Sequence, residues 1–481
     1  LVPRLKADHS ISCTRSTAAL AMMNTMKDPT IKVQRIVASA CAATGMWLEA
    51  RKILWSIHTA AVLESRRKES IGEWDLDQGS AIAELPKLHR SLLKLGARSG
   101  NITASLWYVD AIQDLNRKLG QSGSLGDSTQ LNSNAKDPEN VLNAWNSNVT
   151  SVYLPPHGIG MTGEDWKLVM IAASKSAHWR VCIGTLPFIQ PFVEATHPRF
   201  AESRNGTGPS LASLDKEYEK LSRGLTAAVL AFEIRSQYAW ATRAIDDWIE
   251  WSGRRPAREA VFSACRILAS RGKSNAVLSL VTKVLSIPDK RSIRKLKVLT
   301  YETSYEMAIY TEAITALYNN GLYDSADDLY VKAISQGFLP WAIIGDSTNS
   351  SVLKIDLHGM NKGVAHSAVR VSLQHLIQSK HFEKVERDVL IVTGRGKHSK
   401  RHLRPILRPE VQRMLVEEFF PPLSSSTAPK NTGALKVSVT DVNAWIEHQQ
   451  QQRGIRFLAI AESLKTITSG SRLKQLLKRK L

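Results

Sequence analysis

Asn320-Gly321-Leu322-Tyr323-Asp324-Ser325-Ala326-Asp327-Asp328-Leu329-Tyr330, closed by Gly337-Phe338-Leu339-Pro340, is the stretch on which the architecture turns. Just upstream, Ile309, Tyr310, Ala313, Ile314 and Leu317 recur at helical spacing and make one apolar face. Asn319-Asn320-Gly321 breaks that helix where a left-handed residue is readily adopted. A second helix then carries Ala326, Leu329, Tyr330, Ala333 and Ile334, and Gly337 to Pro340 stops it. The unit is a helix pair running from Ala308 to Ala342.

Working outward, the same layout recurs. Ile36 to Ala43, a break at Thr44-Gly45, and Leu48 to Ile57 repeat it, with Ala50 in the place of Ala326. Further copies fall at Val261 to Leu285, around Gly272 and Ala276, at Ala227 to Pro256, and at Trp166 to Phe192. Two helices per unit of roughly 35 residues is the signature of a stacked α-solenoid. Residues 1–345 therefore read as helix after helix, interrupted by a Gly/Ser/Asn/Asp-rich loop insertion near 120–140 and a second break at Arg204 to Pro209.

The repeat unit resembles a pentatricopeptide repeat. That resemblance implies stacked helix pairs reading single-stranded RNA at about one base per repeat, through the fifth and last positions of each unit. Those positions fall on Glu312 and Ala342 here, and neither matches the family's usual polar pairing. Specific base reading by this unit is therefore not expected. A general helical scaffold of the tetratricopeptide or HEAT kind is the alternative for the less regular units.

After Ser347-Thr348-Asn349-Ser350-Ser351 the pattern changes. Val352 to Leu357 reads as a strand and Val364 to Ser379 as an amphipathic helix. Val389 to Val392 is a short buried strand, and Leu403 to Phe420 a helix with prolines only near its start. Leu435 to Val439 is a third strand and Val442 to Gln449 a last helix. This β-α-β-α-β-α order predicts a small α/β domain over 346–452. A basic helical tail over 453–481 follows.

Two motifs in that domain carry the chemistry. Ile355-Asp356-Leu357-His358-Gly359-Met360 leaves the first strand, and Thr393-Gly394-Arg395-Gly396-Lys397-His398-Ser399 leaves the second. Strand C-terminal ends are where α/β folds gather ligand groups. Glycines there let a backbone anion approach exposed amides. Lys400, Arg401, Arg404, Arg408 and Arg413 follow with Glu410 the only acid among them, a cationic face suited to phosphates.

The motif pair resembles the small MutS-related (SMR) domain, in the form fused to pentatricopeptide repeats of organellar proteins. Ile355 replaces the usual Leu, and Arg395 stands where plant members often carry Trp. The stretch from Phe420 to Gly433 lacks the family pattern. Some members of that family cleave nucleic acid. The resemblance thus implies Asp356, His358 and His398 as acid–base candidates, and Thr393, Gly394, Arg395, Gly396, Lys397, Lys400, Arg401, Arg404 and Arg408 as nucleic-acid contacts. The other reading is structural: Asp356 caps the turn that follows, and His358 ties the loops together.

Other motifs fail on spacing. Gly394 to Lys397 lacks the first glycine of a phosphate-binding P-loop, where Ile391 stands. His398 and His402 have neither the glutamate nor a third ligand of a zinc site. No carboxylate cluster suggests paired metals, so any cleavage is expected to be metal-independent, and no cofactor is expected. Cys13, Cys41, Cys182 and Cys265 lie far apart and read as reduced, buried helix residues.

The 481 residues carry 64 Lys and Arg against 44 Asp and Glu, a formal charge of +20, which points to a polyanionic partner. With 43% hydrophobic residues the chain is globular, and no apolar run reaches the ~20 residues needed to span a bilayer. Tail residues Arg472, Lys474, Lys478, Arg479 and Lys480 extend the basic surface toward RNA. The start, Leu1-Val2-Pro3-Arg4-Leu5-Lys6, suits a transit peptide already removed. The expected function is RNA binding in a mitochondrion, or alternatively a plastid, acting on transcript processing, stability or translation. The alternative is a non-catalytic component of a large ribonucleoprotein such as the organellar ribosome, contacting rRNA and neighbouring subunits.

Overall fold

The computed structural model describes residues 2–71, 80–120, 160–200, 209–288, 304–340, 342–344, 353–379, 388–394, 406–429 and 431–452. The loop insertion near 120–140, most of the break at 204–209, the boundary at 347–351 and the tail at 453–481 lie outside the described residues. The chain divides into two compact units, Leu1–Ile267 with Lys283–Leu299, and Leu268–Thr282 with Thr300–Leu481.

The first unit is a helical repeat body. It comprises α1 (Val2–Thr25), α2 (Ile31–Ala43), α3 (Trp47–Ile71), α4 (Ala81–Ser99), α5 (Ile102–Gly120), α6 (Gly163–Lys175), α7 (Trp179–Glu194), α8 (Leu211–Ile234) and α9 (Tyr238–Ser252). α10 (Arg258–Ser270) and α11 (Ser274–Ser286) follow. The leading helices α2, α4, α6 and α8 each pack on the next, as do the trailing helices α3 on α5 and α7 on α9. Each neighbour thus buries the apolar face that one pair cannot bury alone.

A local grammar sets this stacking. Leading helices begin on a hydroxyl cap: the side-chain oxygens of Thr30, Ser80, Thr162 and Ser210 each accept an amide of the first turn. Thr162 and Asp165 complete a capping box. Leading helices end in a left-handed residue, Gly45, Gly100, Ala177, Ser236 or Gly272. The next amide reaches back five residues, as in Met46 N to Cys41 O (2.8 Å), His178 N to Ala173 O (2.9 Å) and Gln237 N to Phe232 O (2.8 Å). Five residues after the left-handed position, Ala50, Cys182, Ala241 and Val277 are fully buried. Val277, and not Ala276, is thus the counterpart of Ala50 in its repeat, because the turn rather than the residue type sets the register.

Between α3 and α4 lies a buried histidine pair, with His58 Nε2 2.8 Å from His89 Nε2. Burial pushes His58 down to about 4 and His89 well below its ordinary value. One neutral ring donates and the other accepts, and no room is left for a second proton.

The second unit holds the helix pair α12 (Tyr305–Asn319) and α13 (Tyr323–Ser335), then a mixed α/β layer. Its strands are β1 (Ile343–Ile344), β2 (Leu353–Asp356), β3 (Val389–Val392), β4 (Ser425–Ala428) and β5 (Asn431–Val437). They form one sheet in the order β1-β2-β3-β5-β4. β2 and β3 run parallel, with Asp356 opposite Val392, and every other pairing is antiparallel. α14 (Lys362–Ser379), α15 (Leu407–Glu417) and a helix over 439–452, α16, complete the layer.

The expected strand and helix order is found, with two additions: β1, and β4 in the stretch from Phe420 to Gly433. The Ser-Ser-Thr-Ala of β4 has no apolar alternation because it is an edge strand, paired through its backbone to β5. A further difference concerns α14, expected to be amphipathic. Residues 363–369 are all buried, because α14 packs on α15 and also against both α12 and α13. Gly363 permits that approach: a Cβ there would lie 2.9 Å from the Thr315 Cα. The helix pair before residue 346 therefore shares its core with the α/β layer.

Two stability experiments follow. A Cβ on Gly321 (φ +74°) would meet nothing within 4 Å, so Gly321→Ala isolates backbone strain. It should cost about 1–2 kcal/mol in urea unfolding, whereas Ala177→Gly at the equivalent turn should be neutral or stabilising by up to ~1 kcal/mol. For the histidine pair, the folded values lie below the unfolded ones, so protons bind the unfolded chain preferentially. Stability of the first unit should be level above about pH 6.5 and fall as pH drops toward 4, measured by melting temperature against pH.

Candidate nucleic-acid interface

The two strand-end motifs meet because β2 and β3 are adjacent and parallel. Leu357 N donates to Val392 O (2.8 Å), which aligns the loop after β2 with the loop after β3. Gly394 turns with φ +80°, and a Cβ on it would lie 3.4 Å from His358 Nδ1. The imidazole thus lies in ordinary contact range of the second loop, and it is the positive φ that calls for glycine there. Thr393 anchors that loop from the other side: its amide and the Gly394 amide donate to Gly433 O (2.9 and 3.0 Å), and its hydroxyl to the same oxygen (3.2 Å).

Asp356 is occupied locally. Its Oδ1 accepts the His358 amide at 2.9 Å, while Oδ2 lies 4.0 Å from Lys354 Nζ. This is the turn-capping role, and the carboxylate orients the loop that presents the His358 ring. Asn361 continues the loop. Its Oδ1 accepts the Val364 amide at the start of α14, and its Nδ2 donates to Thr315 Oγ1 on α12 (2.8 Å).

Arg408 donates to Thr432 O (3.0 Å) and Thr427 Oγ1, so its guanidinium straddles the β4–β5 hairpin. Arg413 pairs with Glu410 (2.6 Å), and Glu410 also holds Lys362 (2.7 Å), whose hydrogen bond keeps that carboxyl below its ordinary value. The cationic face expected on α15 is therefore partly neutralised by its own acid. Arg395, Gly396, Lys397, His398, Lys400, Arg401 and Arg404, and tail residues Arg472, Lys474, Lys478, Arg479 and Lys480, lie outside the described residues. Among the described residues no three His, Cys, Asp or Glu side chains are placed to hold a metal ion, and no helix is long and apolar enough to cross a membrane.

Residues 355–440 match the family model of the Smr domain. Both loops and the hairpin behind them fall inside the matched segment. The chain as a whole is similar to the crystal structure of the pentatricopeptide repeat protein PPR10 from maize, at 12% identity over 77% of this chain, with a TM-score of 0.19. It spans 60% of that protein's crystallised chain. No curated protein matches it.

What residue spacing did not reveal is how the Smr domain is held. Arg370, on α14, places Nε and Nη2 on the two Asp327 oxygens (2.7 and 2.9 Å) and Nη1 on Glu418 Oε2 (2.8 Å). Its guanidinium also lies 4.9 Å from the Tyr323 ring. Burial pushes Asp327 above its ordinary value against the pull of Arg370. At Glu418 burial also pushes up, but His366 and Arg370 together bring the carboxyl below its ordinary value. His366, 1% exposed, sits edge-on to Tyr318 with Nδ1 3.6 Å from Glu418 Oε1. The available signal was weak: an arginine flanked by Val369 and Val371 on a helix following a repeat that carries an acid at Asp327.

Truncating Arg370 would strand two carboxylates in this cluster. Arg370→Ala should destabilise the second unit by about 3–5 kcal/mol, read as lost hydrogen-exchange protection over α12 to α14. Asp327→Asn, which keeps the shape, should cost less.

Proposed function

We propose that this protein binds RNA through backbone contacts of its helical repeat body and Smr domain, within a mitochondrion or plastid, in transcript processing, stability or translation. The observation that carries the reading is the apposition of His358 and Gly394 at the C-terminal ends of two parallel strands, inside the Smr match. The imidazole held there is a donor for a phosphate, and the +20 charge supplies the attraction. Backbone rather than base recognition is favoured by Ala342, which is 1% exposed and whose carbonyl accepts the Asp356 amide at 2.7 Å. A buried alanine offers no group to a base edge.

A second reading, a non-catalytic component of a large ribonucleoprotein such as the organellar ribosome, is favoured by Asp356. Its Oδ1 accepts the His358 amide, a loop-orienting role that supports binding without cleavage. If His358 and Asp356 nevertheless act as an acid–base pair, full-length protein will cut single-stranded RNA without added metal, and His358→Ala will abolish the cutting.

Crosslinking with RNA sequencing, together with sedimentation of organelle extract, tests the function. Recovery of one or two transcripts supports the processing factor, and stoichiometric co-migration with a ribosomal subunit supports the component. Recovery of no RNA sinks both.

A further inference from the structure

The turns that end the leading helices of the first unit stack on one another, and their side chains are cationic. Lys175 Nζ donates to Arg98 O (2.7 Å), and a Cβ on Gly100 would lie 2.9 Å from the Lys175 Cβ, so the turn after α4 touches the turn after α6. Arg235 Nε donates to Ala177 O (3.3 Å), which joins the turn after α6 to the turn after α8. Lysine or arginine thus reaches across each step to the carbonyls left over at a helix end. Arg98, Lys175, Arg180 and Arg235 are all exposed along this line. The acid within it, Glu233, is paired with Arg266 (2.7 Å).

At the middle step the line opens into a cavity of about 190 Å³, walled by Ala177, His178, Trp179, Arg180, Val181 and Arg235. Trp179 is half-buried, and the Arg180 guanidinium lies 5.3 Å from its ring. A polar, cationic hollow with one aromatic face suits a phosphate and an adjoining base together. Single-strand binders combine a positive track for the backbone with rings on which bases stack.

We propose that these stepped turns form a cationic ridge that takes the sugar–phosphate backbone of single-stranded RNA, with Trp179 as a stacking platform for one base. The proposal rests on the RNA-binding reading above and adds residues of the first unit that are not among the Smr loops. An acidic protein segment would use the arginines but not the ring, and for that reason RNA is the partner named.

The test compares full-length protein with an Arg180→Glu/Arg235→Gln variant and a Lys220→Glu/Arg258→Gln control of equal charge change. Each is titrated with a short labelled single-stranded RNA of mixed sequence over a range of salt. The ridge variant should bind at least about tenfold more weakly than the control, and its slope of log affinity against log salt should be shallower by about 1.4, two phosphate contacts at ~0.7 each. Trp179→Leu should lower affinity at least about fivefold with the slope unchanged. If melting shows that Arg235→Gln disturbs the fold, Arg180→Glu alone carries the comparison, with half the change in slope. RNA binding by the parent with ridge variants equal to the control overturns the ridge and leaves the RNA reading standing. Failure of the parent to bind RNA overturns both. Lost binding to an acidic peptide with RNA binding intact assigns the surface to protein and overturns the proposal.

Discussion

One guanidinium organises the second unit. Arg370 is the common partner of Asp327 in the last helix pair and of Glu418 beyond the end of α15, while sitting on the central helix α14. Isolated, any of these charges in so dry a site would be unfavourable. Together, with Tyr323 against the guanidinium face and Ser367 nearby, they satisfy one another only in a single relative placement of three helices. Such a cluster adds little net stability over a well-packed apolar equivalent, but it penalises every other register. The loop after β2 inherits this placement, since Asn361 ties it to Thr315 on α12.

The same logic separates what was legible in the residues from what was not. Ala326, Leu329 and Tyr330 announce α13 because helical periodicity is local, and Val389 to Val392 announces a strand because a buried strand must be apolar. β4 left no such trace, for its stability lies in main-chain pairing to β5 rather than in its own side chains. The two faces of α14 were hidden for a different reason. Gly363, His366, Ser367 and Arg370 look like a polar face, and only the presence of α12 and α13 turns them into a second buried one.

For the candidate site, residue types were informative and roles were not. Asp356, His358, Thr393 and Gly394 do converge, as strand-end motifs should. Their partners, however, come from remote segments: Gly433 holds the Thr393 loop, and Ala342 receives the Asp356 amide. Arg408 illustrates the limit well. A basic residue downstream of a glycine turn reads as a phosphate ligand, but its guanidinium is met by Thr427 and Thr432, 19 and 24 residues further along, which spacing cannot join to it.

The sealed helix α14 bears on how this Smr domain could be inherited or moved. A domain whose central helix is covered on one side only can be transplanted by recombination at the linker before its first strand. Here, a cut at 346 would bare a polar-looking but desolvated surface around His366, with no host to cover it. The last helix pair and the Smr domain are thus expected to travel between genes together, as a single heritable cassette.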